Sequence, residues 1–452
     1  MASSRNCPAD WIAALGAAIS QCFPTGCRIA VGLSGGLDSV VLLHALHGAQ
    51  EHAAFQLSAH HVCHGLSPNA ESWVSFCVLT CESLGLPLSI TRLALERQPQ
   101  QSLEALARDA RHAALRALPV DVVALAHHAD DQAETVLLQL LRGAGVAGLA
   151  AMPLLAPGQP ALWRPLLGHT RAELAAWATA RKLAWIEDES NADRRLRRNA
   201  LRHDISPRLA EHFPGYPQTL SRSARHCAEA GELLRELAVL DGLPDDPHKG
   251  LRLFALAALS PPRARNLLRQ FLLSAGLLAP SEARLEAFRL ALASPRSDAR
   301  SALLHQGVVV LRQGDRVVVA PQVQAFRRTW RGENALALPH GDLVFDTTPG
   351  QGLRAEFAHQ GCTVVPCPRG ARLVLASGQP GRPVRELLRQ HGVPVWARDA
   401  WPVLQGEAGL LAVPGLGVAP EARTRGEAPG YVLRWVPAPT TGPSYAGSKA
   451  SR

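Results

Sequence analysis

The residues best able to do chemistry fall in two short clusters. The first, Ser34-Gly35-Gly36-Leu37-Asp38-Ser39, joins one apolar run to another. Gly35 and Gly36 are expected to supply positive φ and let the backbone come close to a ligand, while the helix that starts there offers unsatisfied N–H groups and a positive dipole end. Such a turn favours phosphate, with both hydroxyls and the amides meeting its oxygens and Asp38 meeting magnesium or a ligand group. Walker A would require Gly-Lys-Ser/Thr here, and GxGxxG three glycines at its own spacing; neither is present, so this is a phosphate loop of another kind. As a plain connection, Ser34 would cap a helix, which accounts for the serine and the glycines and gives Asp38 no task. The second cluster, Asp130, Asp131 and Glu134, opens a stretch of helical spacing running to Leu141. Residues three or four apart share a helix face, so Asp131 and Glu134 can point into one cleft. Beside a phosphate loop, two carboxylates suit magnesium or an ammonium-bearing substrate, though acids in a first turn also serve as caps.

These clusters need a scaffold that brings them together. Apolar runs at Ile29–Leu33, Leu57–Val62, Leu86–Ile90 and Val122–Ala126 are each followed by a helix-like stretch, the signature of a doubly wound, mainly parallel α/β sheet. Ligands in such sheets bind beyond the carboxyl ends of the strands. Four segments sit there: the glycine loop, the run from His60 to Gly65, the loop beyond Ile90, and Ala126 to Glu134. His61, Cys63, His64, His127 and His128 lie in this set, but their spacing fits no compact zinc pair repeated twice, and they read as cleft lining. Arg194 to His203 holds five arginines in ten residues, either a solvated helix face or a set of phosphate contacts. Residues 1–210 are therefore expected to form the catalytic domain. Residues 211–325 read as a mainly helical module ending in a hairpin that turns at Gly314, 326–368 as a linker, 369–437 as a small mixed α/β domain, and 438–452 as a disordered tail.

Bulk properties narrow the class. The 452 residues are 47% hydrophobic and 19% charged, an ordinary globular balance with room for several domains. No apolar stretch approaches the 18 or so residues a membrane helix needs, and no signal peptide is evident, so a cytoplasmic protein without membrane contact is expected. Nine cysteines without a CxxC pair read as reduced thiols. A net charge of +9 points toward a polyanionic partner.

Taken in order, SGGLDS, HGLSPNAESW, EALARDARHAAL, AHHADDQAETVLLQLLRGAGVAGLAAM, RPLLGHTRAEL and IEDESNADRRLRRNALRH closely resemble the bacterial tRNA(Ile)-lysidine synthases, over about residues 28–210. The glycine loop places the chain in the wider PP-loop ATP pyrophosphatase group, with its adenine nucleotide α-hydrolase-like fold. GRPVRELLRQHGVPVWARDAWPVL and LLAVPGLGV resemble that family's C-terminal domain more loosely. Cys63 departs from the family's HxHHG form, and Gly417 stands where an aromatic is usual.

The resemblance implies that ATP adenylates the 2-carbonyl oxygen of the wobble cytidine in a CAU-anticodon isoleucine tRNA, and that the side-chain amine of free L-lysine then displaces AMP. By similarity, Ser34 to Ser39 bind ATP, Asp38 helps hold Mg2+, Asp131 and Glu134 receive lysine, and Arg111 and Arg202 serve ATP or charge stabilisation. Two other activities share the loop. A tRNA 2-thiolation enzyme would call for a reactive cysteine pair or an iron–sulfur cluster, and an amide synthetase would leave the basic segment and the C-terminal domain without use. A catalytically silent tRNA-binding protein would not require the loop and the acid pair. The sequence leaves oligomeric state open, a homodimer included.

Overall fold

The computed structural model describes residues 8–63, 65, 67, 69–93, 103–187, 197–293, 302–321, 324–393, 395–406 and 409–437. His64, Arg194 and the 438–452 tail therefore lie outside the described residues. The described chain divides into two compact units, the first ending at Leu234 and the second starting at Arg235.

In the first unit the elements alternate as the apolar runs require: α1 (Pro8–Cys22), β1 (Arg28–Gly32), α2 (Leu37–Ala49), β2 (Gln56–Cys63), α3 (Ala70–Ser83), β3 (Leu88–Arg92), α4 (Leu103–Arg116), β4 (Val122–Ala124), α5 (Ala129–Leu140), α6 (Val146–Leu149), β5 (Leu155–Ala156), β6 (Ala161–Trp163) and α7 (Arg171–Ala180). The sheet order is β3-β2-β1-β4-β6-β5, parallel except for β5 against β6. From β1 the chain steps outward through β2 to β3, then returns to place β4 on the other side of β1. That reversal opens a crevice at the carboxyl ends of β1 and β4, where a doubly wound sheet binds its ligand. The doubly wound, mainly parallel architecture expected from the apolar runs is thus what forms.

Burial explains why these elements hold. Ile29 and Val31 of β1 and Val41 to Leu43 of α2 are fully enclosed, so α2 packs as a mostly buried helix against the sheet, with Asp38 at its first turn left part-exposed. A buried helix next to the sheet fixes the turn before it. The Ser34 to Asp38 loop is thereby pinned at both ends by core residues, Leu33 at 1% and Leu37 at 7% exposure.

The second unit starts with helices Leu253–Ala257, Pro261–Ser274 and Glu282–Ala293 against a four-stranded sheet, around a core of Leu267, Phe271, Leu285, Val310 and Val317. Its Val308–Gln313 and Arg316–Pro321 strands form the expected hairpin, with Gly314 at φ 60° in the turn. Residues 326–368 differ from the linker reading. They contribute strands Arg328–Trp330, Ala335–Leu338, Gly341–Pro349 and Cys362–Pro366, which pair with each other and with Pro402–Gly406 and Pro429–Pro437 in two antiparallel sheets. Trp330, fully buried, stacks on Phe345 with ring centroids 4.2 Å apart, so this stretch supplies the core of the C-terminal module. Short strands from two sheets alternate with turns here, which leaves no sustained periodicity in the sequence to mark them as strands. Helix Val384–Gln390 completes the module.

Candidate functional site

The loop between β1 and α2 is held by its own serines. Ser34 Oγ and Ser39 Oγ lie 3.0 Å apart, Ser34 N–H donates to Ser39 Oγ (3.1 Å), and Ser39 Oγ–H donates to the Gly36 carbonyl (3.0 Å). Gly35 has φ 85°, and a Cβ there would meet Ile186 Cδ1 at 2.9 Å. Gly36 corrects the sequence reading: its φ is −75°, an ordinary extended value, so only Gly35 needs the left-handed region. A Cβ on Gly36 would meet nothing closer than Ser34 Oγ at 3.5 Å. The backbone of Gly35 and Gly36 is tied down instead by the segment at Ile186, whose N–H donates to the Gly35 carbonyl (2.9 Å).

This loop forms one end of a cavity of about 290 Å3, whose lining includes Ser34, Gly36, Asp38, Ser39, Cys63 and Arg111. His60, His112 and His127 line it too, and burial lowers the proton affinity of each. Arg111 reaches it from α4 with an exposed side chain.

The second cluster begins α5 directly across from the loop. Asp131 caps the helix, accepting from the His128 backbone N–H (3.3 Å), and its carboxylate also reaches the His128 ring and Arg202. His128, 1% exposed, is the residue whose importance the sequence did not reveal. Its Nε2 lies 3.7 Å from Asp38 Oδ2 and 3.4 Å from Asp131 Oδ2, and its Nδ1 lies 3.4 Å from Asp130 Oδ2. Burial opposes its charge, but the three carboxylates raise its pKa overall. One imidazole thus joins the phosphate loop to the acid cluster, a link that depends on adjacent strand ends rather than on any local spacing.

Asp130 turns away, accepting from the Arg171 N–H (2.8 Å) and so clamping α7 to α5. Glu134, 3% exposed, accepts from Arg202 through both oxygens (2.7 and 3.1 Å), and Arg202 also donates to Asp131 Oδ1 (3.1 Å). Arg198 Nε lies 3.0 Å from Glu134 Oε2, and its Nη2 donates to Thr135 Oγ1 (2.8 Å). The described part of the arginine run is therefore neither a bare solvated face nor a bare phosphate patch: two of its members bind carboxylates. Burial raises Asp38 despite His128 and Arg171, and raises Glu134 despite Arg202. Burial would raise Asp131 as well, but His128, His127, Arg198 and Arg202 bring it below the usual range. Asp38, Asp131, Glu134 and Arg202 are thus gathered in one place, with Arg111 on the cavity wall.

Four of the buried cysteines are chemically quiet. Burial pushes Cys77 up to about 12 and Cys81, Cys362 and Cys367 up to about 11, far from a reactive thiolate. Among the described residues no three His, Cys, Asp or Glu side chains gather as a metal cage, and no helix is long and apolar enough to cross a membrane.

An SGGxDS loop on a doubly wound parallel sheet, opening into a cavity at the strand reversal, defines a PP-loop ATP-using domain, and residues 13–209 match the family described as the PP-loop domain. Residues 251–318 match the TilS substrate binding domain and 362–435 the TilS substrate C-terminal domain. The tRNA(Ile)-lysidine synthase of Chromobacterium violaceum is 43% identical over 90% of this chain and 95% of its own. Those of Nitrosomonas europaea and Aromatoleum aromaticum are 38% and 40% identical, over 91% and 90% of this chain and 92% and 97% of theirs. The chain belongs to the tRNA(Ile)-lysidine synthase family, ATP-using ligases of tRNA modification.

Proposed function

We propose that this chain joins free L-lysine to the wobble cytidine of CAU-anticodon isoleucine tRNA in the cytoplasm, with the Ser34 to Ser39 loop receiving the pyrophosphate of ATP and the Asp131–Glu134 pair receiving the lysine ammonium. The observation that carries it is the His128 bridge, 3.7 Å from Asp38 and 3.4 Å from Asp131, because two-step ligation needs the activated phosphorus and the amine in one cleft. Loop amides and the serine hydroxyls meet the charge that builds on pyrophosphate as the cytidine 2-oxygen attacks the α-phosphorus, and Arg111 and Arg202 supply further positive charge. Asp38 fits magnesium, since its Oδ1 is buried without a hydrogen-bond partner and Mg2+ commonly takes only one or two carboxylates beside phosphate oxygens. When bound, that ion would neutralise charge on the phosphates. Glu134, its proton affinity raised by burial, is suited to take the proton the ammonium must lose before its nitrogen attacks. Buried, unreactive thiols speak against the sulfur-transfer alternative.

Mass spectrometry of the tRNA product, with lysine supplied or withheld, tests the reaction. A lysine-dependent mass gain is expected; a gain of sulfur, or none, rejects it. Asp38→Asn should abolish product while leaving tRNA binding and the melting temperature nearly unchanged, and retained turnover would remove Asp38 from the site.

A further inference from the structure

The carboxylates assigned to lysine are fully engaged by arginine. Glu134 is almost wholly buried, and a buried carboxylate needs a counter-charge at all times. Arg202 supplies it as a two-pronged fork that also reaches Asp131, and Arg198 adds a second guanidinium 3.0 Å from Glu134. Both come from one short segment, helix Arg197–Ala200 running into a π-helical turn at Leu201–Ile205, a rare geometry that recurs at functional sites. A lysine ammonium seeking Asp131 and Glu134 would bring a third cation to two carboxylates. The same two arginines have another destination close by. Arg202 holds Asp131 at 3.1 Å, and Asp131 shares the His128 ring with Asp38 of the phosphate loop, at 3.4 and 3.7 Å. A bound triphosphate puts several negative charges there.

Building on the lysine-site reading above, we infer that Arg198 and Arg202 are an exchange pair. Without nucleotide they occupy the ammonium positions of the lysine site; a triphosphate draws them toward the loop and frees Asp131 and Glu134 for lysine. The pair therefore sets an order of binding, nucleotide before amino acid, and keeps the buried carboxylates neutralised at every stage. Arg198, to which no other role falls, is the positioning residue that isolates the effect.

Calorimetric titration of L-lysine into the full chain, with and without α,β-methylene-ATP and magnesium, reads the coupling. In the wild type the nucleotide should tighten lysine at least about fivefold, the lower end of common coupling. Arg198→Gln should bring that ratio toward one, chiefly by tightening lysine in the nucleotide-free protein, and Arg198→Lys, which keeps the charge and loses the fork, should fall between. A purely structural role would weaken lysine in both states and leave the ratio alone. A wild-type ratio of one, or an unchanged ratio in Arg198→Gln, overturns the exchange. Failure of the lysine site itself has a different mark: Asp131→Asn and Glu134→Gln would then leave lysine binding unaltered, whereas failure of the exchange alone leaves those variants weak.

Discussion

Gly35 and Gly36 look alike in sequence and should respond oppositely to the same added methyl group. At Gly35 an alanine must hold φ near 85°, which costs an L-residue about 1–2 kcal/mol, and its Cβ lands 2.9 Å from Ile186 Cδ1, with Cys77 Sγ and Phe76 Cδ1 both at 3.4 Å. Ile186 Cδ1 is the far end of a half-buried side chain and can swing aside, so the strained φ sets most of the cost, about 1–2 kcal/mol, or a fall of roughly 2–8 °C in the melting transition of a unit this size. At Gly36, φ is −75° and the nearest atoms lie at 3.5 and 3.8 Å, so alanine should cost under about 1 kcal/mol, the usual scale of exchanging a helix N-cap. Yet that methyl group stands over the cradle formed by Ser34 and Ser39, where backbone must approach phosphate. Gly36→Ala should therefore keep its melting curve and raise the KM for ATP by tenfold or more, while Gly35→Ala should lose stability as well as turnover. Differential scanning calorimetry beside AMP-release kinetics measures both. Equal losses of melting temperature, or a Gly36→Ala enzyme with wild-type KM for ATP, would show that the backbone conformation of the loop has been misjudged.

Replacing Cys77 or Cys81 by alanine should lower stability by about 1–2 kcal/mol, because both thiols are buried, and leave the lysine-dependent product intact in whatever folds; loss of modification with an unchanged melt would favour sulfur transfer. If the C-terminal module reads the tRNA, a chain ending at Pro321 should still adenylate tRNA at high concentration but bind isoleucine tRNA more weakly, with a shallower salt dependence, and discriminate less against methionine tRNA; filter binding across a salt series checks this, and equal affinity and discrimination would show that the module takes no part in recognition. The cut belongs before residue 325 because one at Arg331 would strand Trp330 outside its core. Four arginines of that module, Arg382, Arg385, Arg389 and Arg398, are bound within it to Gln390, Asp399, Glu386 and the Val393 carbonyl, so RNA would have to compete for them, and single alanine changes should each weaken tRNA binding by under about threefold.

What the sequence determined by itself was everything encoded in short-range pattern. The apolar runs marked β1 to β4: the inner strands β1 and β4 because a strand enclosed on both faces is apolar, and β3 at the sheet edge by its apolar content alone; SGGLDS marked the phosphate turn because serines, glycines and an aspartate are needed there within six residues. Asp131 and Glu134 shared a face by helical spacing alone. The tertiary structure decided what depends on residues distant in the chain. His128 became the hub between Asp38 and Asp131 only because β4 returns beside β1, ninety residues after the loop, and nothing near His128 records that return. Gly36 proved conformationally ordinary because φ is set by how the turn is anchored to Ile186 and not by residue type. Arg198 and Arg202 looked like a patch for phosphate, since charge is legible in sequence but the partner of a charge is not: the long guanidinium stems reach whichever carboxylates the fold has buried without a counter-ion, and here those were Asp131 and Glu134.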